Sequence, residues 1–158
     1  MIVNVETSFE IDYYAFIRQL NKPASWIHVS APLLMFEPTG SRRFPAAWEQ
    51  GEYPAMLRLF GLIPLGRQAI VVEKIKTESP EEYIIRDNGY GDIVKRWDHW
   101  VLIRRQRDGK SIRYIDRVDI KAGILTFGVY LFANLFYRWR QHKWRRLIRN
   151  GFGNGELN

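Results

Sequence analysis

The chain contains no cysteine, so disulfides, thiolate metal ligands and thiol nucleophiles are excluded, and a reducing compartment is compatible with that composition. No apolar run reaches the roughly 20 residues that a spanning helix requires. The longest, Ile124 to Tyr137, stops short. Met1 to Glu10 alternates apolar and polar residues and has neither a basic leader nor an apolar block, so no signal peptide is read there. Repeats, linkers and low-complexity stretches are missing, as are a glycine-rich phosphate loop, a Gly-x-Ser-x-Gly elbow and a His-Glu-x-x-His pattern. His28, His99 and His142 form no close cluster, so neither a metal nor another cofactor is expected.

Acidic residues are scarce at one end only. Residues 1–99 carry 11 Lys/Arg against 13 Asp/Glu, whereas residues 100–158 carry 13 against 4. The net charge of +7 therefore belongs to the C-terminal part, which suits anionic surfaces or acidic ligands. Nucleic acid is disfavoured as a partner because no recognised binding motif accompanies the charge. At 158 residues and 46% hydrophobic, the chain has the size and apolar content of one domain, placed at 1–150, with a loose glycine-rich tail at 151–158.

Ile2 to Ile11 reads as a first strand, and Asp12 can cap a short helix from Tyr13 to Leu20. Pro23 can begin a second short helix that carries Trp26 and Ile27. Strands are expected at Leu33 to Glu37, Tyr53 to Phe60, Arg67 to Thr77 and Glu82 to Asp87, with an irregular connection from Pro38 to Gln50. The joint from Gly61 to Gly66 is unusually apolar for a turn, which suggests a cavity mouth or an exposed contact patch. Asn88 to Asp92, including Gly89-Tyr90-Gly91, reads as a glycine-rich turn.

Lys95 to Gln106 and Ser111 to Lys121 alternate in character and are joined through Asp108-Gly109. A two-residue turn there makes Arg107 face Lys110, Ile103 face Tyr114, Val101 face Asp116, His99 face Val118 and Trp97 face Ile120. That face is expected to look inward, with His99 diagonal to Asp116, while the more charged face with Arg96, Asp98 and Arg113 looks outward. The hairpin runs into a helix from about Ile124 to Asn150. Its first half is apolar nearly all round, which implies cover on more than one side. Its second half is basic, which suits the negative end of a helix dipole.

One strand, two short helices, six strands and a long helix form the helix-grip arrangement. The sequence resembles the START-like, or SRPBCC (Bet v 1-like), superfamily, and within it an uncharacterised bacterial ligand-binding branch related to polyketide cyclase/dehydrase proteins. The resemblance is carried by Gly51-Glu52-Tyr53, Leu57-Arg58-Leu59-Phe60-Gly61, Trp97-Asp98-His99, Tyr114-Ile115-Asp116-Arg117-Val118 and Phe136-Tyr137-Arg138. The branch often has Gly-Pro-Phe where this chain has Gly91-Asp92-Ile93-Val94, and a second histidine where it has Val101, so a role for paired histidines does not carry over. The resemblance implies an α+β fold in which a curved seven-stranded antiparallel sheet wraps a long C-terminal helix. It also implies a cavity between them for a hydrophobic small molecule or lipid.

The expected pocket residues are Trp97, His99, Val101, Ile103, Tyr114, Asp116, Val118, Phe132 and Phe136. His99 could transfer a proton with Asp116 orienting it, as a cyclase or dehydratase would require; the alternative is a hydrogen-bonded pair that holds the sheet or offers one polar contact to a guest. Tyr114 could donate into the pocket or pack in the core. A second candidate surface consists of Arg138, Trp139, Arg140, Lys143, Trp144, Arg145, Arg146 and Arg149, whose aromatic and cationic mixture suits an anionic bilayer interface. The alternative is a solvated helix end with tryptophans packed on the fold. The reading is a cytoplasmic protein, with peripheral attachment at the inner face of the membrane, or a protein-interaction scaffold, left open by that surface.

Overall fold

A computed structural model describes residues 1–39 and 43–152. Strand β1 (Ile2–Glu10) leads into helices α1 (Tyr13–Leu20) and α2 (Pro23–Ser30). Strands β2 (Leu34–Pro38), β3 (Gly51–Leu59), β4 (Ile63–Ile75), β5 (Glu82–Gly91), β6 (Arg96–Arg105) and β7 (Ser111–Lys121) follow. A single 3₁₀ turn, Gly123–Leu125, then precedes α3 (Thr126–Arg149). All strand pairs are antiparallel, in the order β1-β7-β6-β5-β4-β3-β2. This is a helix-grip fold: one curved seven-stranded sheet around a long C-terminal helix.

The two short helices have local causes. Asp12 accepts a hydrogen bond from the Ala15 amide at 2.8 Å, satisfying one of the free N–H groups that open α1. Tyr13, Phe16 and Leu20 recur at helical spacing and turn one face of α1 into the core. Pro23 starts α2, where its missing N–H costs nothing.

The β6–β7 register is the one expected, with Val101 opposite Asp116 and His99 opposite Val118. Asp108 fixes the turn by accepting from the amides of Lys110 and Ser111, both at 3.0 Å, and Gly109 takes φ +67°. Residues 107–110 form the loop, and the ladder closes where the Gln106 amide donates to the Ser111 carbonyl. Every second residue of β7 from Ile112 to Ile120 is buried, and Asp116 is the one charged member of that row. Asp98, on the outer face, is covered rather than solvated: Arg86 grips it with two hydrogen bonds, at 2.8 and 3.0 Å.

Two expectations need correcting. Asn88 to Asp92 is not a turn, because β5 runs on to Gly91. Its glycines mark close backbone approach: a Cβ on Gly89 would lie 2.8 Å from the Ala69 carbonyl of β4. The apolar first half of α3 is not covered on several sides. Ala133, Phe136 and Tyr137 are buried, but Ile124, Leu125, Phe127, Leu131 and Leu135 are exposed. Of the tail placed at 151–158, Gly151 and Phe152 are described. The Gly151 and Phe152 amides donate to Ile148 and Leu147 carbonyls, Gly151 takes φ +60°, and Phe152 packs on the core, closing α3 with a Schellman motif. Residues 153–158 lie outside the described residues.

Candidate functional site

A cavity of about 300 Å³ lies between the sheet and α3. Its walls come from four directions. Helix α2 supplies Trp26 and Ser30, β2 to β4 supply Leu34, Phe36, Leu57 and Ile70, β5 and β6 supply Asp87, Trp97 and His99, and α3 supplies Phe132, Phe136, Tyr137 and Arg140. Trp48, in the connection before β3, completes the inner end. Trp26, Trp48, Asp87, His99 and Arg140 are all buried there, whereas Leu59, Leu65, Ile93, Val94, Gly128 and Val129 at the other end are half-buried or exposed. The cavity therefore opens between the β3–β4 hairpin, the β5–β6 loop and the first turns of α3.

The hairpin and loop that frame the mouth are tied together by Asp92, which accepts from the Arg67 amide at 2.8 Å. The apolar joint read from sequence is divided between two roles. Leu65 lines the cavity, while Leu62 stands 80% exposed on the rim, beyond a tight turn in which Phe60 and Gly61 both have positive φ.

Of the residues expected in the pocket, Trp97, His99, Phe132 and Phe136 stand on the cavity wall. Val101, Ile103, Tyr114, Asp116 and Val118 do not; they share the inner face of the sheet but lie beneath other side chains in the packed core. That placement has a simple cause. α1 and the second half of α3 press directly on that part of the sheet, as the contact of Phe16 with Tyr114 at 5.8 Å shows.

Behind the wall is a polar network with no access to solvent. Asp116 accepts from His99 Nε2 at 2.8 Å, from the Tyr114 hydroxyl at 2.9 Å and from Gln141 Nε2 at 3.1 Å. Gln141 also donates to the Val5 carbonyl at 2.8 Å, so α3 is fastened to β1 and β7 at this level. With a carboxylate as acceptor, the His99 proton is assigned to Nε2 and the Nδ1 lone pair is left over. Burial holds the imidazole pKa below its ordinary value against the opposing pull of Asp116, so His99 is neutral at pH 7. Burial also drives the Tyr114 hydroxyl well above the ordinary phenol range, with the Asp116 charge adding to it. The network can orient a neutral histidine that offers one acceptor nitrogen.

Two ionisable groups on the wall were not legible as pocket residues. Asp87 accepts from the Val71 amide at 2.9 Å, yet its burial pushes its pKa up to about 7. Arg140, which the sequence assigns to the basic surface, is 3% exposed and sits over the rings of Trp26 and Tyr137 at 5.0 and 5.7 Å. Burial opposes its charge, but the surrounding Tyr114, Asp116, Tyr137 and Asp87 outweigh that and hold its pKa above the ordinary arginine value. Its Nε and Nη2 find no hydrogen-bond partner among the described residues.

Trp144 also leaves the proposed surface, being fully buried against Phe16 at 5.1 Å, and Trp139 turns its indole N–H to the Ala31 carbonyl at 3.2 Å. Helix periodicity explains the placement of Arg140 and Trp144: Ala133, Phe136, Tyr137, Arg140, Gln141, Trp144 and Leu147 share the inward stripe of α3. Arg138, Arg145, Arg146 and Arg149 remain exposed, with Lys143 half-buried. The exposed part of that surface is a basic edge, with Trp139 half-buried beside it. No helix among the described residues is long and apolar enough to cross a membrane.

The fold is that of START-like, SRPBCC proteins. Solved structures with this arrangement include a conserved protein from Geobacillus kaustophilus (TM-score 0.60, 15% identity, 95% of this chain and 96% of that one). An AHSA1 protein from Silicibacter pomeroyi is similar at TM-score 0.60 and 12% identity over 94% of this chain and 98% of that one. A START superfamily protein from Mycobacterium smegmatis is similar at TM-score 0.60 and 8% identity over 94% and 97%. No protein-family model and no curated protein matches the sequence.

Proposed function

We propose that the protein binds an apolar small molecule in the cavity between the sheet and α3. The observation that carries this reading is the cavity itself, about 300 Å³ of mostly apolar wall interrupted by a few buried polar groups. That combination is what a small-molecule site requires: apolar surface for affinity, and isolated polar groups for orientation. The volume is roughly twice that of an engineered ~150 Å³ cavity that takes benzene, which corresponds to a guest of about a dozen heavy atoms. Native mass spectrometry of gently purified protein, followed by solvent extraction, tests the reading. The expected result is a reproducible adduct of an apolar compound that is lost when Leu57, on the wall, is changed to Trp. Retention of the same adduct by the Leu57→Trp protein would place the compound elsewhere.

A cyclase- or dehydratase-like activity is the second reading. The observation favouring it is that His99 borders the cavity with its Nε2 held by Asp116 at 2.8 Å, which orients the ring. In that reading His99 is the base and Asp116, which touches no guest, only positions it.

A further inference from the structure

Arg140 is unlike the other arginines that the described structure pairs with carboxylates. Arg86 is held by Glu73 and Asp98, Arg113 by Glu6, and Arg104 by Glu82. Arg140 is more deeply buried than these, yet two of its nitrogens, Nε and Nη2, have no acceptor among the described residues. The nearby carboxylates leave that demand unmet. Asp116 spends its oxygens on His99, Tyr114 and Gln141, and Asp87 accepts from a β4 amide. A second unanswered donor stands on the same inner wall: the Trp48 indole N–H is buried without a partner among the described residues, and its ring meets that of Trp26, which lies under Arg140. Arg140 Nε, Arg140 Nη2 and Trp48 Nε1 are thus donors without an acceptor among the described residues, at the closed end of a cavity whose wall is mostly apolar.

A buried donor without an acceptor costs about 1–3 kcal/mol, and more when it is charged. The two rings that flank Arg140 offset part of its desolvation through their faces, but they leave the in-plane N–H groups unanswered. An acceptor matched to a planar fork is a carboxylate, which can take two parallel N–H bonds at once. A single guanidinium suits a monoanion better than a phosphate dianion.

We propose, on the basis of the apolar-guest reading above, that the guest is an amphiphilic carboxylic acid bound head-inward, with its carboxylate on the Arg140 guanidinium and its apolar tail running toward the mouth. His99 and Trp48 flank the head, and Phe132, Leu57 and Leu65 line the course of the tail.

The test is competition at pH 7.5 against a neutral apolar fluorophore, 1-aminoanthracene, using decanoate and decan-1-ol as a pair matched in chain and differing in head. Decanoate is expected to displace the fluorophore at a concentration at least tenfold lower than the alcohol does. In Arg140→Met that advantage falls to threefold or less through weaker binding of the acid alone, and Arg140→Lys restores it only in part. Equal displacement by acid and alcohol in the unaltered protein overturns the carboxylate assignment and leaves the apolar-guest reading standing. Failure of decanoate, decan-1-ol and the fluorophore all to bind overturns both. The comparison of heads is made in the unaltered protein, so the result does not depend on any variant folding.

Discussion

Asp87 and His99 face the same cavity and are displaced in opposite senses by the same cause, burial without full compensation. For Asp87 the folded pKa, about 7, is above that of an unfolded aspartate. Its contribution to stability is therefore fully present below about pH 4 and is lost as the pH rises through about 7. For His99 the folded pKa is below the ordinary histidine value, so its contribution is present at higher pH and lost on acidification. Asp87→Asn removes only the first effect. Denaturant titrations of the two proteins should show that the stability of the unaltered protein relative to Asp87→Asn declines between about pH 4 and pH 7. A constant difference across that range would mean that Asp87 titrates at an ordinary value.

α3 has an orderly C-terminal half and a loosely built start. Its opening has no side-chain cap on the helical amides, and it carries Gly128, a residue that costs about 0.5–1 kcal/mol relative to Ala in a helix interior. A Cβ at Gly128 would meet nothing within 4 Å, so Gly128→Ala should stabilise the protein by up to about that amount, read as a rise in Tm. The helix also shows where sequence is informative and where it is not. The β6–β7 register was legible because Asp108-Gly109 and strict alternation agree. The cavity role of Arg140 was not, because a run of six cations between Arg138 and Arg149 reads as solvated when each residue is weighed by its charge. Only the helical spacing from Phe136 to Arg140 and on to Trp144 carried the contrary signal. The cover of the inner sheet face by α1 was likewise invisible, since it depends on how far a short helix leans across strands distant in the chain.

On the scale of the whole molecule, charge and apolar surface are sorted to opposite ends of one helix. Ile124, Phe127, Leu131 and Leu135 continue along the same outer side into Arg138, His142, Arg145 and Arg149, all exposed. The apolar end adjoins the cavity mouth, where Phe60, Leu62, Ile63 and Ile93 are also exposed. Singly exposed apolar residues are ordinary, but a cluster of this kind promotes association. Ile124 is fully exposed, so Ile124→Lys should leave stability within about 0.5 kcal/mol of the unaltered protein. It should also lower concentration-dependent light scattering. Unchanged scattering would show that the rim does not drive self-association.

The Schellman closure of α3 adds a kinetic consequence. The C-terminal half of the helix is held by the Gly151 and Phe152 amides and by Gln141 bound to β1 and β7, and this is the half that carries Arg140. The entrance is framed by the uncapped half. Anchor and doorway thus share one element but not the same fastenings. For a guest whose head rests at Arg140, residence time and binding strength become separable properties, the first set by the opening turns of the helix and the second by its fixed end.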